Sequence, residues 1–394
     1  MMSEITTNSL NVERLPARLA PIGGLLIAVC IAAGFANKAE FYQSYLVAYL
    51  FWLGIALGSL ALLMMQHLTG GNWALMIRRI LEAGTRTLPL MAVAALPLLL
   101  GMKTLYVWSR PDQTDPVILS KHLYLNPQFF GVRMVVYFLV WLLLAYQLSK
   151  WSRIEEAGGG DVLLWGRMEA LSGIGLVMYG FTVTFASIDW VMSLEPRWYS
   201  TIYGMLFMVG QALAALAFSI TILIWLSDRE PLSDVVKPRH FQDLGGFLLA
   251  FVMLWAYLEF SQFLIIWGGN LSGEIPWYIR RMQGAWGHVG LLLVILSFAL
   301  PFFLLLFRHV KRGTRSLLIV AVLVLIMRLV DMYWMVLPAF GGGDARLTWM
   351  NVVLPLGFGG IWFAYFTWQL QRMPILPVHD PRMEGVAEQA AEHG

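Results

Sequence analysis

The chain has 394 residues, of which 59% are hydrophobic and 13% charged, with a mean hydropathy of +0.67 and a formal net charge of +3. Because soluble domains carry about 25% charged residues, this composition excludes a soluble domain and predicts a polytopic membrane protein. The single cysteine, Cys30, excludes a disulfide framework, covalently attached haem c and an iron–sulfur cluster held by this chain alone.

Ten apolar runs are each about as long as a helix that crosses the hydrocarbon core. We predict spans 1 to 10 at residues 19–36, 45–65, 88–108, 131–148, 170–192, 202–226, 244–267, 286–307, 316–337 and 352–368. Lys and Arg concentrate on the side that carries both termini, which predicts cytoplasmic termini by the positive-inside rule. Residues 1–18 lack the pattern of a cleaved signal peptide.

The connection between spans 2 and 3 alternates apolar and basic residues at helical spacing over residues 73–83. This pattern predicts an amphipathic helix that lies in the membrane interface. A solvated loop is the alternative.

Two of the apolar helices end in the same Asp-x6-Pro pattern, at Asp189 with Pro196 and at Asp331 with Pro338. The offset between them is four spans, which predicts a parallel repeat of two four-helix bundles, spans 2–5 at 45–192 and spans 6–9 at 202–337. Spans 1 and 10 are then peripheral, and residues 1–18 and 369–394 form a cytoplasmic N-terminal segment and tail. Chance alignment of short apolar strings is the alternative.

Ionisable residues within spans are costly and usually face a bundle interior. Arg328 and Asp331 stand three positions apart on one helix turn, which predicts an ion pair. Asp189 has no basic residue three or four positions away, so we expect its partner on another helix, and Lys103 is the candidate by depth. An unpaired Asp189 would instead exchange protons. Glu259 is a further intramembrane acid, at a depth similar to that of Lys103.

Span 5 carries polar residues along one helical face. They are Glu169, Ser172, Tyr179, Thr182 and Asp189. This stripe predicts a water file that serves as a proton half-channel. The alternative is that such hydroxyls satisfy backbone carbonyls or allow close helix packing.

Candidates for a quinone site are His288, Asp189 and the neighbouring Trp190, near the outer ends of their spans. The sequence has no metal-ligand spacing, no glycine-rich phosphate loop and no nucleophile paired with a histidine. It therefore indicates neither a metal, nor a nucleic-acid partner, nor catalysis by this chain alone.

Three strings resemble one family of membrane proteins: TFASIDWVMSLEPRWYSTIYG at 184–204, DLGGFLLAFVMLWAYLEFSQFLIIWGGNLSGEIPWYIRR at 243–281 and RLVDMYWMVLPAF at 328–340. They resemble the ActF membrane subunits of bacterial alternative complex III, a quinol:cytochrome c oxidoreductase. Those subunits belong to the NrfD-like, or polysulfide-reductase-like, membrane proteins. The resemblance covers most of the chain and is strongest from span 5 onward.

The resemblance implies a subunit of the bacterial cytoplasmic membrane, built of two four-helix bundles and without a redox cofactor of its own. It implies two kinds of partner that carry cofactors, the iron–sulfur subunit ActB and multihaem cytochrome c subunits. It also implies the homologous quinol-oxidising subunit ActC, with a terminal oxidase as a further potential partner. It also implies that Asp189 and Asp331 take part in proton movement. Glu259 has no counterpart in the family pattern. The Phe-Pro-Pro string of ActC-like sequences is replaced here at 194–199.

The leading interpretation is therefore a non-haem subunit of a respiratory quinol oxidoreductase, a scaffold with a proton half-channel built from Asp189, Asp331, Arg328, Glu259, Lys103, Glu169, Tyr179 and Thr182. One alternative is that this chain itself binds and oxidises quinol. A weaker alternative is a secondary transporter, since such proteins usually show inverted repeats and broken helices around a midplane site.

Overall fold

The computed structural model describes residues 14–159, 162–341, 347–377 and 379–380. These residues are predominantly helical, and no strand occurs among them. Ten helical segments in the described ranges are long and apolar enough to cross a membrane. The prediction of an all-α polytopic membrane protein with ten spans is confirmed. The outermost parts of the predicted N-terminal segment and tail, 1–13 and 381–394, lie outside the described residues.

The spans keep the numbers of the predicted runs. Spans 1, 2, 4, 5, 6, 7, 9 and 10 are Arg14–Gly34, Lys38–Thr69, Pro127–Ile154, Val162–Trp190, Tyr203–Leu226, Pro238–Gly269, Thr314–Val336 and Trp349–Leu370. Span 3 is a series of short helices at Leu88–Ala94, Leu96–Leu100 and Met102–Leu105, and two further short helices, Asn72–Ile77 and Arg78–Thr85, connect it to span 2. Span 8 comprises Gly284–Leu293 and Leu300–Leu306, joined by a π-helical turn at Val294–Ala299. Short helices in the connections are Val107–Ser109, Pro116–Ser120, Glu155–Gly159, Met192–Leu194, Leu232–Val235, Ile275–Met282, Arg308–Arg312 and Leu337–Ala339.

Prolines and capping residues set several of these boundaries. Pro89 and Pro97 lie in the first turns of two short helices of span 3, and each interrupts the continuous ladder because proline has no N–H to donate. Span 4 begins where the Asn126 side chain accepts a 2.8 Å hydrogen bond from the Phe129 N–H. Span 2 ends at Gly70, whose φ of +61° is the left-handed conformation that favours glycine.

The segment predicted to lie in the interface is buried in the protein. Every residue of Arg78–Thr85 is buried and helical. Arg78 pairs with Glu155 and Asp380, the latter with 2.8 Å between Nη1 and Oδ2. Glu82 accepts a 2.9 Å hydrogen bond from Arg79. The predicted helix is therefore present and the solvated loop was wrong, because acids from other segments compensate its arginines within the protein. Its location in the membrane interface stays a prediction.

The long helices form two contacting groups. Span 5 packs against spans 2 and 4, while span 6 packs against spans 7 and 9, and span 9 also contacts span 8. Spans 2 and 6 join the groups, and Gly58 allows them to approach: a β-carbon there would lie 2.0 Å from the backbone oxygen of Gln211. Span 1 packs on span 10, which packs on span 2. Span 5 also contacts span 6, and span 9 contacts span 2. That spans 2–5 and 6–9 are two four-helix bundles that arose by duplication, with spans 1 and 10 peripheral, stays a prediction.

Candidate functional site

Asp189, near the end of span 5, is held in a closed ion pair. Arg133 of span 4 donates hydrogen bonds from Nε to Oδ2 at 2.8 Å and from Nη2 to Oδ1 at 2.7 Å, and the Tyr137 hydroxyl donates to Oδ2 at 2.6 Å. The rings of Tyr124 and Phe129 lie 3.9 and 4.5 Å from the guanidinium carbon. A bidentate, charge-assisted pair of this kind stabilises the ionised carboxylate. The geometry of Asp189 is therefore that of a structural anion.

The predicted partner of this acid was wrong. Lys103 is exposed and lies in the short helix Met102–Leu105 of the broken span 3. Arg133 occupies the position beside Asp189 because spans 4 and 5 pack directly on each other. The sequence places Arg133 near the N-terminal end of span 4, but it does not show which way the side chain points.

The predicted polar stripe of span 5 is divided among separate partners. Glu169, at its start, is exposed. The Tyr179 hydroxyl donates to Gln211 Oε1 at 2.7 Å, whereas Thr182 accepts from the Trp141 indole at 2.8 Å and donates to a backbone carbonyl. These contacts match the packing role that hydroxyls commonly have in membrane helices. A proton path along span 5 stays a prediction.

The three quinone-site candidates are not brought together. Trp190 is buried against the rings of Tyr137 and Trp141. Asp189 lies in its closed pair beside them. His288 is exposed on span 8, in the other group of helices. A quinone site built from these residues stays a prediction.

Asp331, in span 9, has a much less complete set of partners. The predicted ion pair is confirmed, with Arg328 Nη2 lying 2.8 Å from Asp331 Oδ2. The contact is skewed, however, because neither carboxylate oxygen accepts a hydrogen bond of ordinary geometry from the described residues. Asp331 is only 1% exposed. Burying a carboxylate with so few donors is costly, which distinguishes this acid from Asp189.

A cavity of about 750 Å³ lies between spans 7, 8 and 9 and the short helix Ile275–Met282. This volume is within the range of about 300–1,000 Å³ typical of small-molecule sites. Glu259, Asp331 and Arg281 are the charged residues in its wall, and the remainder is mainly apolar and aromatic. Glu259 interacts electrostatically with Asp331, Arg281 and Arg328. Its Oε1 atom is buried and accepts no hydrogen bond from the part of the chain that the structure describes.

Arg281 fixes one wall of this cavity and was not recognised in the sequence. It donates to the carbonyls of Trp334 and Met335 at 3.2 and 2.8 Å and to Glu195 Oε1 at 2.9 Å. The Trp277 ring lies 3.7 Å from its guanidinium carbon. Arg281 thus ties the connection after span 7 to the end of span 9 and to the turn after span 5. The available signal was two arginines beside two aromatic residues in the connection after span 7, a pattern typical of cation–π contacts.

Tyr278 supplies a neutral polar group to the same wall. Its hydroxyl is buried and makes no hydrogen bond with another described residue. Burial, and then the nearby Glu259 carboxylate, raise the pKa of this phenol well above its ordinary value. The hydroxyl therefore keeps its proton and is available as a donor.

The opposite wall contains the π-helical turn Val294–Ala299 of span 8. Val294 and Phe298 from this turn line the cavity. Buried inside the same turn, the Ser297 hydroxyl makes no hydrogen bond with any residue in the described ranges. Such turns occur frequently at functional sites in α-helices. The irregular wall therefore agrees with a ligand-binding role for the cavity.

Comparison with models of known protein families and with curated proteins finds no match. Among the described residues, no group of three or more His, Cys, Asp or Glu side chains is placed to hold a metal ion. The functional evidence in the structure is therefore the surroundings of Asp189 and Asp331 and the cavity that Glu259 and Asp331 line.

Proposed function

We propose that this chain is an integral membrane subunit of a bacterial respiratory quinol:cytochrome c oxidoreductase of the alternative complex III type, located in the cytoplasmic membrane with both termini cytoplasmic. In this role it carries no redox cofactor and acts as a scaffold beside subunits that hold haem c and iron–sulfur clusters. The ten spans and the three resembling strings support this assignment. The subunit's own chemical contribution is proton exchange at Glu259 and Asp331.

One observation supports the proton-exchange role: Asp331, which is buried, and Glu259, whose Oε1 atom is buried, share a wall of one cavity and interact with the same guanidinium, that of Arg328. Three of their carboxylate oxygens, Glu259 Oε1 and both of Asp331, accept no ordinary hydrogen bond from the described residues. Coupled carboxylates in an apolar setting bind and release protons as a unit. The Asp189 carboxylate differs in that it accepts three hydrogen bonds, two from Arg133 and one from Tyr137.

Purification of the tagged chain from native membranes in mild detergent tests the assignment to a complex. We expect co-purification of multihaem cytochromes, visible by haem absorbance, together with an iron–sulfur protein and a second polytopic subunit. Isolation of the chain without haem-bearing partners, after cross-linking in the intact membrane, would contradict it.

Infrared difference spectroscopy across a pH titration tests the proton-exchange role. We expect a band from a protonated carboxyl in an apolar site, which Glu259→Gln and Asp331→Asn each remove or shift because the two acids line the same cavity. Glu169→Gln is the matched control, since this acid is exposed on span 5. A band that is unchanged in both cavity variants would exclude proton exchange at this pair.

A second candidate function is quinol binding by this chain itself. The cavity favours it, because a lipophilic space with a few polar groups at one end is typical of sites for amphipathic molecules. This site differs from the one predicted at His288, Asp189 and Trp190. Protection of a cavity residue from chemical labelling by a quinone analogue would support it.

A further inference from the structure

Three arginines lie at the ends of three membrane-spanning segments, on the same side of the molecule. Arg86 lies two residues before span 3 begins at Leu88, and Arg153 is the penultimate residue of span 4. Arg372 lies two residues after span 10 ends at Leu370. Two residues of a helix advance only about 3 Å, and the lipid head groups lie directly beyond the hydrocarbon core that the spans cross. The three side chains are therefore placed at the level of the head groups.

Side-chain contacts bring these three arginines together. Arg86 Nε donates to the Ser149 hydroxyl at 3.4 Å, and Arg153 Nε donates to the backbone carbonyl of the same serine at 3.3 Å. Arg86 Nη2 lies 2.7 Å from the sulfur of Met373, the residue after Arg372. Arg86 also interacts electrostatically with both of the other arginines. We call Arg86, Arg153 and Arg372 the arginine cluster.

The acids near the arginine cluster do not compensate its charge. Among the described residues, Glu82 is the single acid that pairs with Arg86, at 3.1 Å, and it also pairs with the two arginines that begin the preceding short helix. Arg153 and Arg372 are exposed, and neither forms an ion pair with an acid in the described ranges. The Arg372 guanidinium carbon lies 3.4 Å from the centre of the Trp368 ring. Such guanidinium groups have donors free for a phosphate, which arginine binds with two parallel hydrogen bonds.

The surface next to the arginine cluster is apolar and lies at membrane depth. Tyr146, seven residues before Arg153 on span 4, is 60% exposed, and Val93, seven residues after Arg86 on span 3, is 65% exposed. Seven helical residues advance about 10 Å, so these side chains lie about that far into the hydrocarbon core. A phosphate that carries acyl chains therefore has apolar side chains to contact, whereas a free phosphate does not.

We propose that Arg86, Arg153 and Arg372 bind the phosphate of an anionic phospholipid of the phosphatidylglycerol class, which bridges the ends of spans 3, 4 and 10. A head group with net negative charge is preferred, because the ammonium of a zwitterionic lipid would bring a positive charge to the arginines. Basic pockets between membrane helices commonly bind anionic head groups. The bound lipid joins span 10 to spans 3 and 4 at a place where protein side chains leave positive charge uncompensated.

Lipid titration of the full chain tests the proposal. The chain is freed of lipid in a neutral detergent, and bound lipid is counted by native mass spectrometry. The probes are dioleoyl phosphatidylglycerol, dioleoyl phosphatidylcholine and glycerophosphoglycerol, the head group without acyl chains. We expect phosphatidylglycerol to bind about tenfold more tightly than phosphatidylcholine. Equal binding of the two lipids would overturn the proposal, and tight binding of glycerophosphoglycerol would assign the site to a soluble phosphate ester instead.

Variants locate the binding. Arg153→Gln and Arg372→Gln change exposed side chains and should each weaken phosphatidylglycerol binding by about fivefold, the effect of one arginine near an anionic lipid. Arg153→Lys keeps the charge but loses the planar fork, and it should weaken binding about twofold. Arg167→Gln is the matched control, because Arg167 is exposed at the start of span 5, on the same side of the molecule. An equal loss in Arg167→Gln would mean that only general surface charge acts, and would overturn the site.

The end of the chain is the other candidate occupant of the arginine cluster. Residues 381–394 include three glutamates, and a chain that ends at Asp380 lacks them. We expect the shortened chain to bind phosphatidylglycerol as tightly as the full chain does. Binding that appears only after this shortening would identify the acidic end of the chain as the occupant and would overturn the proposal.

Discussion

Asp189 and Asp331 occupy equivalent places in the sequence, yet the structure gives them different surroundings. Both are 1% exposed near the end of a long apolar helix. Arg133, from a neighbouring helix, donates hydrogen bonds from Nε and Nη2 to the two carboxylate oxygens of Asp189. Arg328 lies one turn before Asp331 on the same helix and makes a single skewed contact. An arginine on a facing helix can donate to both oxygens of a carboxylate. An arginine one turn away on the same helix reaches the carboxylate from the side and here contacts one oxygen.

The consequence is one closed site and one open site. At Asp189, Arg133 and Tyr137 donate hydrogen bonds to both carboxylate oxygens, and the Tyr124 ring lies against the Arg133 guanidinium. Asp331 lines a cavity that also contains Glu259, and its Oδ1 atom accepts no hydrogen bond from the described residues. The same Asp-x6-Pro pattern therefore supplies a fully bonded ion pair in one group of helices and an acid that lines a cavity in the other.

Asp189→Asn should have the largest effect on stability. It leaves the buried Arg133 without its counterion, and breaking a buried pair in this way costs roughly 3 kcal/mol. Reversible unfolding of the purified chain in mixed micelles measures the loss. Glu169→Gln, an exposed acid on the same span, should change stability little. A loss no greater than that caused by Asp331→Asn would remove the distinction between the sites.

Asp331→Asn should cost less, about 1.5 kcal/mol. Arg328 keeps Glu259 as a neighbouring acid, and the contact that is lost was not an aligned hydrogen bond. The same unfolding measurement applies. If the loss equalled that of Asp189→Asn, the second site would be as closed as the first.

Gly210→Ala should have the smallest effect, and it tests the position of Arg328 directly. A β-carbon at Gly210 would lie 2.3 Å from Arg328 Nη2, so the guanidinium must move away. Gly180→Ala is the matched control, since the nearest atom to its β-carbon is the Met208 sulfur at 3.9 Å. We expect Gly210→Ala to be less stable than the control by about 1 kcal/mol, the lower end for overpacking. It should also shift the carboxyl infrared band, and two variants of equal stability with the same band would place Arg328 elsewhere.

Composition and local spacing determined much of this protein. The apolar runs are long enough that only membrane-spanning helices satisfy their backbone, so ten spans could be predicted. The Arg328–Asp331 pair could also be predicted, because residues three apart on a helix are always neighbours. Both inferences depend on distances along one helix, which the sequence contains in full.

The tertiary structure alone decided the partner of Asp189, the burial of Arg78–Thr85 and the cavity beside Glu259. Each depends on how one helix is rotated and shifted against another. Spans 4, 5 and 7 are apolar around most of their circumference, so periodicity does not show which face meets which neighbour. The sequence determined that charges lie within the membrane; helix packing decided which of them are closed in ion pairs and which face an open cavity.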